Sequence, residues 1–311
     1  MTIHKSVLLE EAIDALNLKE GMTVIDATLG GGGHSLEIIR KIGSSGKLIA
    51  FDADELAIEK FQVEMKKRDL ENIILVNVNF RNLTKELEEL GIEKVDAILA
   101  DIGYSSDQLE SKERGISFQL EAPLDMRFDQ KQELTAKKIV NEYSQKELER
   151  ILREYGEEKF ARNIVRGILK YREKKLFENT KELAEIIEEN VPGKYRYGKI
   201  HPATKTFQAI RIEVNQELES LREFVPSALG SLKPRGRLAV ISFHSLEDRI
   251  VKELFRENAR GCICPKNFPI CLCHEKAKVK IVTKKPIIAQ GKELEDNPRA
   301  RSAKLRICEF I

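Results

Sequence analysis

Hydrophobic and polar residues follow one another along residues 22–101 in the order expected of alternating strands and helices. Short runs of aliphatic and β-branched residues predict strands at Thr23–Asp26, Lys47–Asp52, Ile73–Asn77 and Ala97–Asp101. Apolar residues at helical spacing predict the intervening helices at Ser35–Ile42, Glu55–Lys67 and Leu83–Leu90. Strands that alternate with helices in this way form a parallel sheet joined by right-handed crossovers.

The pattern changes between about residues 108 and 209, where the sequence indicates helices and almost no strand. Ser144 and Glu147 are spaced as a capping box and predict a helix that ends at Gly156. Further helices are predicted at Glu158–Arg172 and from Thr180 to Val191. This stretch is therefore expected to be an all-helical insert.

Strands and helices alternate again after the helical stretch. The predicted elements are a long helix at Ile212–Leu232, a strand at Arg237–Ser242 after a Pro-Arg-Gly turn, a helix capped by Ser245 and Asp248, and strands at Lys278–Thr283 and Lys304–Phe310. The simplest architecture is an α/β domain with a doubly wound sheet, formed by residues 1–108 and 211–311. The helical domain at 109–210 interrupts it after the fourth strand.

Composition narrows the class of protein. Hydrophobic residues make up 41% of the 311 residues, which is ample for a buried core. The sequence contains neither an apolar run of about 18 residues nor a signal-peptide pattern, so we expect a cytoplasmic protein without a membrane span.

Basic residues are clustered although the net charge is only +2. Seven basic residues and one acid lie between Lys159 and Lys175, and five basic residues without an acid lie between Lys194 and Arg211. Residues 276–306 carry ten basic residues and three acids. Such clusters favour a polyanionic partner, with a solvated helix face as the alternative.

Residues 26–34, Asp-Ala-Thr-Leu-Gly-Gly-Gly-Gly-His, carry the strongest chemical signal. A predicted strand ends at Asp26 and four consecutive glycines lead into a predicted helix. Such a turn lets the backbone approach a small molecule, and the free N–H groups of the first helical turn face that ligand. The dinucleotide fingerprint is excluded because Ser35 or Leu36 stands where its third glycine is needed. A P-loop is excluded because no lysine follows the glycines to hold a triphosphate.

The remaining spacing, D-x-T-x-G-x-G from Asp26 to Gly32, is similar to the first motif of Rossmann-like S-adenosylmethionine-dependent methyltransferases. Asp52 supports this interpretation, because it ends the second predicted strand, where an acid accepts hydrogen bonds from ribose hydroxyls. The alternative for the loop is a purely structural turn. Asp54 is instead predicted to cap the following helix.

Asp101 ends the fourth predicted strand and begins the segment Asp-Ile-Gly-Tyr-Ser-Ser. Methyl transfer from a sulfonium is an in-line displacement in which positioning matters most. An exocyclic base amine is a poor nucleophile because its lone pair is delocalised, and a carboxylate that accepts its N–H makes it more reactive. Asp101 suits that catalytic role, cofactor binding, or both, and a structural strand-end cap is the alternative.

The chain resembles, almost end to end, the RsmH (MraW) family of bacterial small-subunit ribosomal RNA cytosine-N4 methyltransferases. The segments that carry the resemblance are His4–Ala12, the glycine loop with His34 and Ser35, Asp101–Gln108, Arg114–Phe118, Pro123–Arg127, Tyr155–Glu158, Lys181–Ala184, His201–Arg211, Ser242–Arg249 and Asn297–Ser302. The resemblance implies methylation of the exocyclic amine of a cytidine in 16S ribosomal RNA, with S-adenosylmethionine as the methyl donor and ribosomal RNA or the small subunit as the partner.

The resemblance also implies a set of cofactor-binding residues: Gly32, Gly33, His34, Asp52, Phe80, Asp101 and Gln108. The backbone at 32–34 is expected to meet the amino-acid end of the cofactor, Asp52 the ribose, Phe80 the adenine and Gln108 the sulfonium end. The residues by themselves indicate only Gly30–Gly33, Asp52 and Asp101. Phe80 and Gln108 are, without the resemblance, more typical of a core aromatic and a surface amide.

Other polar residues are candidates for the acceptor side. His244 follows the predicted fifth strand and is a candidate catalytic residue that orients the base or carries a proton, although a structural role is the commoner one for a single histidine. Phosphate contacts are predicted for His201, Lys205, Arg211 and the segment Asn297–Arg301, and base stacking for Tyr195 and Tyr197.

Four of the five cysteines form the pattern Cys262-x-Cys264 and Cys271-x-Cys273, with His274 adjacent. The spacing departs from the commoner C-x₂-C of zinc sites. Zinc, free thiols and a disulfide therefore stay open, and the sequence assigns no metal site. Cys308 is predicted to pack as a small hydrophobe.

Two other functions are compatible with parts of the sequence. One is a non-catalytic RNA-binding ribosome assembly factor that retains a cofactor fold. The other is an oxidoreductase with a nicotinamide cofactor, which Ser35 disfavours. A DNA amine methyltransferase is the nearest enzymatic alternative, but Ile102-Gly-Tyr-Ser lacks the Pro-Pro-aromatic stretch typical of those enzymes. The sequence leaves open the nucleotide modified, the assembly state of the substrate and the oligomeric state of the protein.

Overall fold

The computed structural model describes residues 6–105, 108–109, 111–198, 200–262, 264, 273 and 275–311. Of the residues singled out above, His4, Lys5, Ser106, Cys271 and His274 lie outside that part of the chain. Contacts divide the chain into two compact units, Met1–Gly103 with Leu218–Ile311, and Tyr104–Glu217. We call them the sheet unit and the helical unit. Within the described ranges, no helix combines the length and apolar character needed to cross a bilayer.

Seven strands form the sheet: β1 (Thr23–Asp26), β2 (Lys47–Phe51), β3 (Ile73–Val76), β4 (Val95–Asp101), β5 (Leu232–Ser242), β6 (Val279–Ile281) and β7 (Lys304–Phe310). Their order is β3-β2-β1-β4-β5-β7-β6. β1 to β5 are mutually parallel, whereas β7 pairs antiparallel with both β5 and β6. The glycine loop therefore leaves a central strand, β1, at the edge where β4 also ends.

The helices of the described residues are α1 (Leu9–Leu16), α2 (Gly33–Ile42), α3 (Glu55–Arg68), α4 (Leu83–Glu89), α5 (Ala136–Glu142), α6 (Gln145–Glu154), α7 (Ala161–Arg172), α8 (Thr180–Glu189), α9 (Gly193–Arg196), α10 (Ala203–Asn215), α11 (Glu217–Ser231), α12 (Ser245–Asn258) and α13 (Lys292–Asp296). Short 3₁₀ turns cover Phe80–Asn82 and Pro298–Ser302. The helical unit holds α5 to α10, and its core is built from the apolar faces of those helices.

The predicted strands and most predicted helices are confirmed, with ends that differ by a few residues. Central strands of the sheet are buried on both faces, which is why they read as continuous aliphatic runs. β5 is longer than predicted. Its register against β4 shifts between Val95 and Ala97, which pair with Leu232 and Arg237, so the predicted Pro-Arg-Gly turn is a bulge inside the strand.

The single long helix predicted at Ile212–Leu232 is wrong. Two helices, α10 and α11, meet there, because Gln216 adopts a left-handed conformation with φ 48° and ψ 41°. The Asn215 side chain fixes this break by donating to Met126 O at 2.8 Å and accepting from Phe128 N at 2.8 Å. No glycine or proline marks the break, so the apolar spacing runs through it unchanged.

Candidate active site

Asp26 ties the glycine loop to the end of β1. Its Oδ1 accepts from Thr28 N at 3.2 Å and its Oδ2 from the Ser35 hydroxyl at 2.6 Å, and the residue is fully buried. Burial raises the pKa of Asp26 to about 6. This fully buried carboxylate holds both ends of the loop, so its role is to shape the turn.

Gly32 is a position in the loop where a side chain cannot be accommodated. Its φ is +78°, and a Cβ placed on it would lie 2.3 Å from two ring carbons of Phe61. Phe61 belongs to α3 and is only 4% exposed, so its ring has little room to move. The loop therefore packs directly on the aromatic core, and the backbone is left to face solvent on its other side at Gly31, which is exposed.

Asp52 lies just after β2 and is bonded to the glycine loop. Its Oδ2 accepts from Gly30 N at 2.7 Å, and its Oδ1 accepts from Asp54 N at 2.8 Å. These two bonds fix the half-buried carboxylate at the carboxyl end of β2, where an acid in such a sheet accepts from ribose hydroxyls. The prediction that Asp54 caps α3 is confirmed, since its side chain accepts from Leu56 N.

Asp101 ends β4 beside the loop. Its N–H donates to Thr28 Oγ1 at 2.6 Å, which fastens the end of β4 to the segment that follows β1. The side chain is 15% exposed. Its Oδ1 is buried, and no hydrogen bond reaches that atom from any residue that the structure describes. A buried carboxylate oxygen without a donor is costly unless a ligand completes it.

His34 lies next to Asp101 but leaves it available. The His34 Nε2–H donates to Val7 O at 3.2 Å, and its Nδ1 lies 3.7 Å from Asp101 Oδ2, which is beyond hydrogen-bonding distance. Burial lowers the pKa of His34, so the ring is neutral at neutral pH. The buried, neutral ring of His34 thus lies against the Asp101 carboxylate without compensating its negative charge.

The surroundings of Asp101 tune its protonation. Burial raises its pKa to about 7, the positive charge of Arg299 opposes this, and the negative charge of Glu247 adds to it. Arg299 lies over the Phe243 ring at 5.5 Å, in the segment predicted to contact phosphates. A carboxyl group that titrates near neutrality is suited to accept a proton during a reaction.

Phe80 begins the 3₁₀ turn after β3 and is half-buried. Its ring meets Phe224 of α11 edge to face, with centroids 5.0 Å apart. Gln108 belongs to the helical unit, where its Oε1 accepts from Ser105 N at 2.9 Å and its backbone N–H donates to the Ser105 hydroxyl at 3.2 Å. The cofactor contacts expected of these two residues stay predictions.

His244 caps α12, which corrects the predicted cap at Ser245 and Asp248. Glu247 N donates to His244 Nδ1 at 3.4 Å, and the Glu247 carboxylate accepts from the backbone N–H of His244 at 3.2 Å. His244 Nε2 lies 3.0 Å from Glu247 Oε1. The prediction placed the cap one residue too late, because serine is a much commoner N-cap residue than histidine. The catalytic role of His244 stays a prediction.

Two substitutions of His244 separate capping from chemistry. We expect His244→Asn to keep the cap and leave the free energy of unfolding within about 0.5 kcal/mol of wild type, whereas His244→Ala loses about 1 kcal/mol. Thermal denaturation measures both changes. If the asparagine variant is as stable as wild type but loses most of its activity, His244 takes part in the reaction; unchanged activity assigns it to capping alone.

Contacts change the interpretation of three predicted phosphate-binding residues. Arg211 is 10% exposed and pairs with Glu217 through Nε–Oε1 at 2.8 Å and Nη2–Oε2 at 3.0 Å, so its phosphate contact stays a prediction that this pairing disfavours. Lys205 Nζ donates to Glu157 O at 3.0 Å, and the His201 ring stacks on Phe118 with centroids 4.4 Å apart. The clustering of basic residues along the sequence did not predict these internal partners.

The two tyrosines predicted to stack on bases differ. Tyr195 packs edge to face against Phe160 with ring centroids 4.9 Å apart, and partial burial against the core of the helical unit raises its pKa. Tyr197 is 90% exposed. Only Tyr197 offers an open ring face, so of the two it is the better stacking candidate.

Thr28 and Glu247 are the site residues that sequence reasoning missed. Thr28 stands within the first motif, but only the pairing of β1 with β4 reveals that it fastens Asp101. Glu247 acts on Asp101 through charge from the first turn of α12. Neither role has a signal in the local sequence, because both depend on strands that are distant along the chain.

The strand order, the glycine loop after β1 and the acid after β2 are those of Rossmann-like S-adenosylmethionine-dependent methyltransferases. The protein belongs to this class. The chain is a member of the MraW methylase family, whose sequence profile matches residues 1–311. The family predicted by the sequence resemblance is thereby confirmed.

The chain is similar along its whole length to curated members of that family. It is 51% identical over 309 residues to the ribosomal RNA small subunit methyltransferase H of Clostridium botulinum strain Kyoto, covering 99% of each chain. It is 49% identical over 308 residues to the protein of that name from Lachnospira eligens, covering 99% of this chain and 98% of the relative. The solved structure of an rRNA methylase from Streptococcus thermophilus aligns with 11% identity and a TM-score of 0.44, covering 100% of this chain and 99% of that one.

Proposed function

We propose that this protein transfers a methyl group from S-adenosylmethionine to ribosomal RNA of the small subunit, at the exocyclic N4 amine of a cytidine. Relatives at about half identity carry the name ribosomal RNA small subunit methyltransferase H. The observation that carries the proposal is Asp101, whose buried Oδ1 has no donor among the described residues and whose backbone is fastened to the glycine loop.

The residues present fit S-adenosylmethionine. Asp52 is held at the carboxyl end of β2 by its bonds from Gly30 N and Asp54 N, the position at which an acid accepts from ribose hydroxyls, and the backbone near Gly31 is open to the amino-acid end because Gly32 packs inward on Phe61. The loop contains no lysine that could hold a phosphate group. When bound, the cofactor supplies an electrophilic methyl group on a sulfonium with a good leaving group.

Asp101 acts on the acceptor in this proposal. Its carboxylate accepts an N–H of the amine, which localises the nitrogen lone pair for attack on the methyl carbon. As the carbon–nitrogen bond forms and the carbon–sulfur bond breaks, the nitrogen becomes positive and its proton passes to Asp101. The ring of His34 covers one side of the carboxylate, and the positive charge of Arg299 favours the ionised form of Asp101 near neutral pH.

The pH dependence of the reaction follows from Asp101. Its pKa is raised to about 7, and only the ionised form accepts a proton. We therefore expect kcat to rise tenfold per pH unit below about 7 and to level off above it. Single-turnover methyl transfer measured from pH 5.5 to 9 with saturating cofactor tests this, and a profile that is flat across neutrality contradicts the general-base assignment.

A stripe of basic residues on α7 favours RNA as the partner. Arg162, Arg166 and Lys170 are spaced by four residues and all are exposed, and Lys174 continues the spacing beyond the end of the helix. The helix buries its opposite face, including Ile164 and Ile168, in the core of the helical unit. One exposed cationic face of this kind matches the spacing of a phosphate backbone.

Charge reversal on this stripe is expected to weaken RNA binding. The triple variant Arg162→Glu/Arg166→Glu/Lys170→Glu removes three phosphate contacts, so we expect the slope of log K against log salt to decrease by about 2, at about 0.7 per contact. The matched control reverses Lys60, Lys66 and Lys67, which are exposed on α3. Equal losses in the two variants would assign the effect to net charge alone.

The proposed activity is tested with methyl-labelled S-adenosylmethionine and small ribosomal subunits that lack the mark. We expect one label per subunit, recovered as N4-methylated cytidine after digestion to nucleosides, and labelling that is about 10²–10⁴-fold slower with Asp101→Asn. Free 16S RNA, assayed in parallel, determines the assembly state that is recognised. No label at saturating cofactor favours an assembly factor, and label in another nucleoside rejects the N4 amine.

A further inference from the structure

A long connection between α12 and β6 contains the cysteine pattern. Its ends lie side by side, because Lys278 N donates to Asn258 O at 2.8 Å. Residues 259–262, 264, 273 and 275–277, the part of this connection that the structure describes, include no helix or strand.

Three thiols converge within this connection. The sulfurs of Cys262, Cys264 and Cys273 all lie within 4.8 Å of one another, and the Cys262 and Cys273 sulfurs are 3.7 Å apart. Two thiolates bound to one zinc ion at about 2.3 Å in tetrahedral geometry lie about 3.8 Å apart. The Cys262–Cys273 spacing therefore matches one edge of a metal tetrahedron better than a covalent S–S bond, which is about 2.05 Å long.

We propose that Cys262, Cys264 and Cys273 bind one structural zinc ion that closes the connection between α12 and β6. Soft thiolates prefer zinc to magnesium or calcium, and a structural site is completed by four protein ligands. The sequence provides two residues of ligand type beside Cys273, namely Cys271 and His274, which lie outside the described residues. Cys262 is exposed and the other two thiols are half-buried, so an ion can enter from solvent.

The surrounding charge favours a thiolate-rich site. Zinc with three or four thiolates carries net negative charge, and the Arg260 side chain lies beside the cluster, with Nε donating to Cys262 O at 3.0 Å. Lys276 and Lys278 follow Cys273 closely in the sequence. A metal ion bound here would join Cys262 and Cys264 to Cys273 and so close the connection, in the way that structural zinc stabilises small domains.

The test uses the full chain purified under reducing conditions. Elemental analysis is expected to give one zinc per chain, and cobalt substituted for zinc is expected to show thiolate-to-metal charge transfer together with the d–d bands of tetrahedral cobalt. The double variant Cys262→Ser/Cys264→Ser is expected to lose both signals. Cys308→Ala is the matched control, since Cys308 is buried in β7 away from the cluster.

Stability and thiol state provide readouts that do not depend on cobalt. A strong chelator is expected to lower the melting temperature of wild type and of Cys308→Ala but not that of the double variant. The single variants Cys271→Ser and His274→Ala identify the fourth ligand through the intensity of the charge-transfer band. Five titratable thiols with no metal uptake, or a Cys262–Cys273 disulfide found under the same conditions, overturns the proposal.

Discussion

Asp101→Asn is expected to lower the rate of methyl transfer by about 10²–10⁴-fold, the range that a positioned general base contributes. Asparagine keeps the size of the side chain and an oxygen that accepts a hydrogen bond, but it does not take a proton. S-adenosylmethionine affinity, measured by calorimetry, is expected to stay within about threefold if Asp101 acts on the acceptor. Single-turnover transfer to small subunits measures the chemical step directly.

Two outcomes would change the assignment of Asp101. A parallel loss of cofactor affinity makes it a donor-binding residue, and transfer near the wild-type rate removes it from the reaction altogether. Asp69→Asn is a suitable control, because Asp69 is an exposed acid at the end of α3 with φ 56°, a conformation that asparagine tolerates. That variant is expected to match wild type in both rate and affinity.

The same substitution is expected to make the protein more stable. A folded-state pKa near 7, against 3.8 for an ordinary aspartate, means that ionising Asp101 opposes folding. The free energy of unfolding of wild type is therefore expected to fall by a few kcal/mol as the pH rises from about 4 to about 7. A pKa difference of one between the folded and unfolded states corresponds to about 1.4 kcal/mol. Asp101→Asn should gain stability over wild type across that window and remain inactive, which separates loss of chemistry from loss of fold.

Gly32→Ala is the second substitution with a large expected effect. The new methyl group would lie 2.3 Å from the Phe61 ring, and φ +78° is unfavourable for alanine. Together, overpacking and backbone strain are expected to lower the free energy of unfolding by about 2–4 kcal/mol. Displacement of the loop is expected to raise the Kd for S-adenosylmethionine at least tenfold, as measured by calorimetry on the folded fraction.

Gly91→Ala separates the two causes. Gly91 has φ +66°, but a Cβ there meets nothing within 4 Å, so its substitution reports backbone strain alone, at about 1–2 kcal/mol. In the background of Phe61→Ala, Gly32→Ala is expected to lose less stability and affinity than in wild type. If Gly32→Ala has the same effect in both backgrounds, the contact between the loop and α3 is not what fixes the glycine.

The local sequence predicted the ends of an element correctly where all the residues that determine them lie in one segment. β1 and β7 begin and end at the residues that the apolar runs predict, and the box of Ser144 and Glu147 opens α6 as expected. Features that depend on distant partners were not predictable. Asn215 breaks the long helix through bonds to residues 126 and 128, and the bulge in β5 follows from its pairing with β4.

The candidate site divides in the same way. Asp52 and Asp101 stand at the ends of predicted strands and Gly32 lies in the loop after one, so their positions follow from the sheet alone. The burial that raises the pKa of Asp101, its fastening by Thr28 and the charge of Arg299 all arise from elements brought together by folding. Arg211 is an opposite case. Its place in a basic segment predicted a phosphate contact, but its guanidinium pairs with Glu217 of the same unit.

The position of β7 has a consequence for synthesis on the ribosome. β5 leaves the exit tunnel about sixty residues before its neighbour β7, which runs antiparallel between β5 and β6. During that interval the growing chain displays an unpaired, strongly apolar strand edge of the kind that promotes aggregation. A nascent chain arrested before Lys304 should therefore recruit chaperones, and release them only once β7 has emerged.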